Sequence, residues 1–193
     1  MKENSLVSAK RKNITGVTLA ALFAALISAG TFIAIPLPFS PVPVVLQNFF
    51  ALLSGLVLGP ALGSAAVGLY LLAGAIGAPV FAGASGGFIR FFGPTGGFLF
   101  GYLLAALTAG LIAGRPRPGI KTSLGRIIPA VLAGFLVIYV PGIIRLKFAI
   151  NKPWDAAFAA GFIPFIAGDI VKAVVAVLAA PRLRRIAGEH LAK

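Results

Sequence analysis

Between Lys12 and Arg90 the chain carries no Asp, Glu, Lys or Arg. About 20 apolar residues cross a bilayer once, so this run allows several crossings. Gly and Pro divide it. A first apolar helix is predicted at about Val17–Ile35, ending at "PLPFSPVP". Prolines there fix φ and remove donors, which leaves a stiff, non-helical loop. A second helix runs from about Val44 to Leu58, and the turn "LGPALG" leads to a third at about Leu62–Ile76. The Gly-rich stretch "GAPVFAGASGGFIRFFGPTGG" follows. The fourth helix covers about Gly97–Ala113, and the polar loop "GRPRPGIKTSLGR" precedes a fifth at about Ile127–Leu146. The sixth begins after Trp154 and reaches about Ala180. The expected architecture is an all-α membrane protein: one integral domain over residues 1–193, a bundle of six transmembrane helices.

Composition agrees with this pattern. The chain is 59% hydrophobic and 11% charged, whereas soluble domains carry about 25% charged residues. Too few charges remain to cover a water-facing surface. The apolar segment after the basic N-terminus is too long for a signal-peptide core, so it is expected to stay as the first span.

Charge sets the orientation. An even number of spans puts both termini on one side. That side collects Lys2, Lys10, Arg11, Lys12, Arg115, Arg117, Lys121, Arg126, Arg182, Arg184, Arg185 and Lys193. The other side holds only Arg90, Arg145, Lys147 and Lys152. Basic residues mark the cytoplasmic face, so basic cytoplasmic tails are expected at about 1–14 and 182–193. The net charge of +13 is then explained by anionic membrane lipid rather than by nucleic acid.

Chemistry concentrates in "PFIAGDIVKAVVAVLAA", residues 164–180. Asp169 and Lys172, spaced i, i+3, share one face of the sixth helix. Each costs about 2.5–3.5 kcal/mol at mid-span, and both are expected far from either helix end. Either they pair to fix packing, or they line a pocket for a polar solute. In the Gly-rich stretch, Phe81, Phe88, Phe91 and Phe92 are poorly suited to open water. A loop folded back as a lid would shelter them. Arg90 is the charge beside them; it reaches an anionic group under that lid or sits at the interface. The segment Gly93–Gly97, "GPTGG", opens the fourth helix, where free N–H groups receive an acceptor or Thr95 caps the helix. Gln47 and Asn48 bond neighbouring helices or a ligand. Tyr70, Tyr102 and Tyr139 read as packing residues. In the first helix, Ala21, Ala25 and Ala29 form one small-residue stripe, and Ala20, Ala24 and Ser28 another. Such a face admits close approach of a helix, within the bundle or from a separate subunit.

Cysteine is absent and the single histidine, His190, is terminal. No phosphate-binding loop, metal-ligand cluster or Ser–His pair can be assembled in the spans. An enzyme is not expected, nor a metal site, nor a cofactor bound by this chain.

The blocks "IPLPFSPVPVVLQN", "LVLGPALGSAAVGLYLLAGAIGAPVFAG", "GPTGGFLFGYLLAAL" and "PFIAGDIVK" resemble the signature segments of the BioY family over about residues 20–178. That family is the biotin-specific substrate-binding (S) component of energy-coupling-factor (ECF) transporters. The resemblance implies a six-helix bundle in the cell membrane with biotin bound near the extracellular side under the loop between the third and fourth helices. It also implies a transmembrane coupling subunit and cytoplasmic ATPase subunits that use ATP. Helix-one alanines, Ala21 and Ala25 or Ala20 and Ala24, would contact the coupling subunit. On this reading Asp169, Lys172, Arg90, Gln47, Asn48, Phe92, Gly93 and Thr95 are the expected substrate-binding residues. Val45 and Phe98 stand where family members often carry Thr and Tyr, so two hydroxyls are missing.

Overall fold

The computed structural model describes residues 2–120 and 122–192, with side chains from Ile14 onward. The side chains of Lys2, Lys10, Arg11 and Lys12, and all of Lys121 and Lys193, lie outside the described residues. The chain runs α1 (Lys2–Ala29), β1 (Ala34–Leu37), β2 (Ser40–Val45), α2 (Gln47–Leu58), α3 (Pro60–Ala75), α4 (Gly96–Ala113), α5 (Leu124–Ile150), α6 (Trp154–Gly161) and α7 (Ile166–Ala192). Short 3₁₀ turns at Phe88–Phe92 and Ile163–Phe165 interrupt the connections.

Among the described residues, three helical stretches are long and apolar enough to cross a membrane: Gly96–Ala113, Leu124–Ile150 and Trp154–Ala192. Ile14–Ala29, α2 and α3 are apolar but shorter. The outer faces fit a lipid solvent. Leu111, Leu132, Leu136, Val171 and Leu178 are exposed, an arrangement a water-soluble surface would not tolerate as a continuous coat. The fold is that of an all-α membrane protein carrying one β-hairpin.

That hairpin replaces the predicted stiff loop. Helix α1 stops at Ala29, short of Ile35, and α2 starts at Gln47 rather than Val44. Between them β1 and β2 pair antiparallel, with Ala34 opposite Val45 and Leu37 opposite Ser40. Each strand has a single neighbour, so the donor-less prolines are tolerated. Ser40 Oγ donates to Ala160 O (2.7 Å), tying the hairpin to α6. Helix α2, at 12 residues, rises only about 18 Å. The hairpin fills the depth it leaves, and the first turn of α2 ends up inside the protein.

Close helix contacts rest on missing side chains. A Cβ on Gly55 would lie 2.0 Å from Ala106 O, joining α2 to α4. A Cβ on Gly97 would lie 2.0 Å from Pro141 O, joining α4 to α5. In a membrane, where apolar burial supplies little drive between helices, such approach gives the packing its energy.

The segment after α3 does fold back, but its aromatics divide. Gly83 and Ala84, in the three-residue turn of residues 82–84, both take positive φ (72° and 52°). This turn closes the bridge between Phe81 and Ser85. Phe81 is buried, its ring wedged against Gly74 and packed edge-on to Tyr70 and Phe91. Phe88 and Phe92 stay exposed. The guanidinium of Arg145 donates to Phe92 O and pins the segment to α5.

Two further expectations need correction. The predicted sixth helix is broken at Phe162–Phe165, where Pro164 lies in a 3₁₀ turn. Its second half, α7, passes Ala180 and Pro181 and continues to Ala192. Arg184, expected in a solvated tail, is 2% exposed and anchored to carbonyls of α2 and α4. Those bonds hold the turn that follows Pro181.

Gly55→Ala is expected to lower the thermal midpoint of the detergent-purified protein, because overpacking costs about 1–3 kcal/mol. Gly68→Ala, with nothing within 4 Å of the added Cβ, is the matched control and should melt at or above the parent temperature. Equal melting of the two variants would contradict the Gly55 contact.

Candidate functional site

The break before α7 decides where the charges sit. Asp169 falls in the first turn of α7 rather than far from a helix end. The positive end of the helix dipole favours a carboxylate there. Lys172 is one turn further on, and both residues are 8% exposed.

Lys172 Nζ donates to Asp169 Oδ1, Asn48 Oδ1 and Val45 O, each at 2.9 Å. An ammonium has three donors, and all three are used. Asp169 Oδ1 also accepts from Asn48 Nδ2 at 3.0 Å, and the Tyr139 hydroxyl donates to Oδ2. Asn48 Oδ1 further accepts from Phe49 N at 3.0 Å. The cluster thus draws on β2, α2, α5 and α7. Taking both charges out of water is costly, and saturation with hydrogen bonds is what makes the pair tolerable.

The cluster faces a cavity of about 30 Å³ walled by Val42, Pro43, Phe98, Tyr102, Ile138, Tyr139 and Phe165. That is room for about two water molecules. Rings dominate the wall: Tyr139 packs edge-on against Phe162 (4.8 Å) and Phe98 (6.4 Å). A polar floor with donors and acceptors under apolar rings suits a flat solute with an amide-like edge. Pro43 also borders a second cavity of about 420 Å³ between the hairpin and the α3–α4 segment. Arg90, Thr95, Ser40 and Ser85 line this outer space, and Arg90 is exposed.

The expected site residues therefore separate. Asp169, Lys172 and Asn48 meet at the inner cavity; Arg90 and Thr95 line the outer one. Thr95 makes no capping bond to α4. Phe92 and Gly93 line neither cavity. Phe92 stacks edge-on with Phe88, and Gly93 N donates to Arg90 O (3.2 Å), closing the 3₁₀ turn. Gln47 points elsewhere: its amide nitrogen reaches Tyr70 Oη and Val80 O (both 2.8 Å) and Thr31 Oγ1. It ties α2 to α3 and to the loop beyond. On α1, Ala20 is buried, Ala24 is half-buried, and Ala21, Ala25 and Ala29 are exposed in line.

Sequence reasoning missed Tyr139 and the Val45 carbonyl. Neither has a local signal, because each acts on a residue more than a hundred or some thirty positions away. At the two positions where hydroxyls are expected to be missing, Val45 holds Lys172 through its backbone carbonyl and Phe98 lines the inner cavity with an apolar ring.

Known proteins resemble this chain in sequence and in fold. The BioY family model matches residues 2–189. A biotin transporter BioY from Thermotoga maritima is 43% identical over 171 residues, covering 89% of this chain and 96% of its own length. A probable biotin transporter BioY from Pyrococcus horikoshii is 45% identical over 168 residues, covering 87% and 95%. The crystal structure of an S-component for biotin from an ECF-type ABC transporter superposes with a TM-score of 0.79 at 32% identity, covering 90% of this chain and 92% of that one. Matched along nearly its whole length by family, relatives and fold, the chain belongs to the BioY family.

Proposed function

We propose that this chain is the biotin-binding S component of an ECF-type vitamin transporter. The observation that carries the reading is the saturated Asp169–Lys172–Asn48–Tyr139 cluster at the base of a ring-walled cavity. Biotin's fused ring offers ureido N–H donors and a carbonyl acceptor, its thioether ring and alkyl chain are apolar, and its tail is a carboxylate. Asp169 accepts the ureido N–H groups, and Asn48 or Lys172 donates to the ureido oxygen. Phe98, Tyr102 and Tyr139 cover the ring. The tail extends into the outer cavity, where Arg90 pairs with its carboxylate. The inner cavity is too small for the fused ring as it stands, so the hairpin and the α3–α4 segment separate to admit it.

In the same reading the single integral domain spans the cell membrane six times, with both termini cytoplasmic and the α3–α4 loop capping an extracellular-side pocket. Three of the spans are α1, α2 and α3, completed in depth by the hairpin and tilt. The exposed Ala21–Ala25 line, with Ala24 beside it, docks the transmembrane coupling subunit; Ala20 serves the interior. ATP is consumed by the cytoplasmic ATPase subunits. One observation favours a second reading, in which the pair only packs helices: every Lys172 donor already has a protein acceptor.

Calorimetric titration of the purified protein with biotin is expected to show saturable binding; none below micromolar would overturn the proposal. Asp169→Asn should weaken binding about ten- to hundredfold, as loss of hydrogen bonds to a charged group costs about 1.5–3 kcal/mol. Lys172→Met alone should lose about 3–5 kcal/mol of stability, because it strands a buried carboxylate. The double variant Asp169→Asn/Lys172→Met should recover the melting temperature without recovering biotin binding. Parental affinity in that double variant would leave packing as the whole role of the pair. Gln47→Leu should lower the melting temperature and leave biotin affinity unchanged; a matching loss of affinity would return Gln47 to the site.

A further inference from the structure

A second charged centre lies at the other end of the bundle. From Asp169 to Arg184, α7 advances 15 residues, about 22 Å. Arg184 Nε donates to Thr122 Oγ1 (2.8 Å), Nη2 to Ala113 O and Gly114 O (both 2.9 Å), and Nη1 to Leu56 O. These carbonyls end α2 and α4, so the guanidinium sits on the negative ends of two helix dipoles. That arrangement satisfies its hydrogen bonds without supplying a counter-charge. Among the described residues the ion pairs are Asp169–Lys172 and Arg185–Glu189, and neither includes Arg184.

Three more arginines share its space. Arg115, Arg117, Arg126 and Arg184, with Thr122 and Ser123, line one cavity of about 530 Å³ between the α4–α5 loop and α7. Among the described residues no carboxylate lines it. The loop is placed there by packing. A Cβ on Gly188 of α7 would lie 2.9 Å from the Arg117 carbonyl group, so the loop backbone rests directly on the helix. Helix α5 also opens into this space, its N-cap Ser123 accepting from Gly125 N at 3.1 Å. Gathering four like charges around one cavity carries an electrostatic cost that a bound anion relieves. Guanidinium groups converge on phosphate in a planar, bidentate manner that ammonium groups cannot match, and basic pockets between membrane helices hold anionic headgroups.

We propose that this cavity is a binding site for a phosphate-bearing anion, separate from the biotin pocket. The anion is supplied either by an anionic lipid headgroup or by free phosphate. The three exposed arginines select it, and Arg184 forms the fixed base that also locks α2, α4 and α7 together.

Two arms test the site on the delipidated full chain in detergent. In the first, native mass spectrometry follows short-chain phosphatidylglycerol in competition with phosphatidylcholine. In the second, thermal melting follows added inorganic phosphate. The wild-type protein should retain phosphatidylglycerol over phosphatidylcholine by about tenfold or more, given the attraction each basic residue adds. The variant Arg115→Gln/Arg117→Gln/Arg126→Gln leaves the Arg184 anchor intact and should lose that preference. Preference for phosphatidylglycerol with no effect of phosphate identifies a lipid headgroup. A saturable rise in melting temperature with phosphate, absent in the variant, identifies a free anion. Equal retention of the two lipids by the wild-type protein, together with no phosphate effect, overturns the proposal even if the variant does not fold. Undiminished anion binding by a folded variant overturns it as well.

Discussion

A single ammonium organises the hairpin end of this molecule. Lys172 spends its three protons on α7 itself, on α2 and on the end of β2. In a low-dielectric interior a donor left without an acceptor is expensive, so these bonds define where three elements meet. Asp169 extends the same set to α5 through Tyr139. The pair thereby locates the hairpin, which in turn roofs the cavity and separates it from the larger space holding Arg90. Removing the charge would remove more than one contact, because each partner is positioned by the others.

The backbone around this cluster is irregular for the same reason that membranes usually forbid irregularity. Exposed N–H and C=O groups find no water in lipid, so non-helical chain is allowed only where protein or a cavity satisfies it. Here the hairpin pairs with itself, and Ser40 and Leu46 bond to Ala160 and Gly30. The α3–α4 segment is held by Gln47, by the Phe81 wedge at Gly74 and by Arg145. The broken helix before α7 belongs to this group too. Its break brings a helix N-terminus to Asp169, where an unbroken helix would have offered no dipole.

At the opposite end, order is kept by a different economy. Helices α2 and α4 both terminate on Arg184, and the α4–α5 loop lies against Gly188. One buried guanidinium does there what Lys172, Asp169, Asn48 and Tyr139 do together at the hairpin end. The bundle between the two centres holds few polar groups and relies on contacts such as Gly55 on Ala106 and Gly97 on Pro141.

Residue type alone was enough to identify an all-α membrane chain, its Gly/Pro divisions and the family blocks, since hydropathy and turn chemistry act locally. Asp169, Lys172 and Asn48 were legible as a candidate site because charge and amide groups in an apolar run have few tolerable explanations, and the three side chains do meet. The hairpin, the break at Pro164, the inward turn of Arg184 and the roles of Tyr139 and the Val45 carbonyl were not legible. Prolines in a loop, a proline in a helix and an arginine after a span read alike whether or not a distant acceptor exists. Nor did Gln47 and Asn48, adjacent in sequence, reveal that they serve different networks. Successive residues of a helix point about 100° apart, and only the packing of α3 on one side and α7 on the other assigns each its partner. What the chain carries locally is the cost of each polar group. Tertiary structure decides which group relieves it, because the relieving partners lie many residues away and meet only when the helices close.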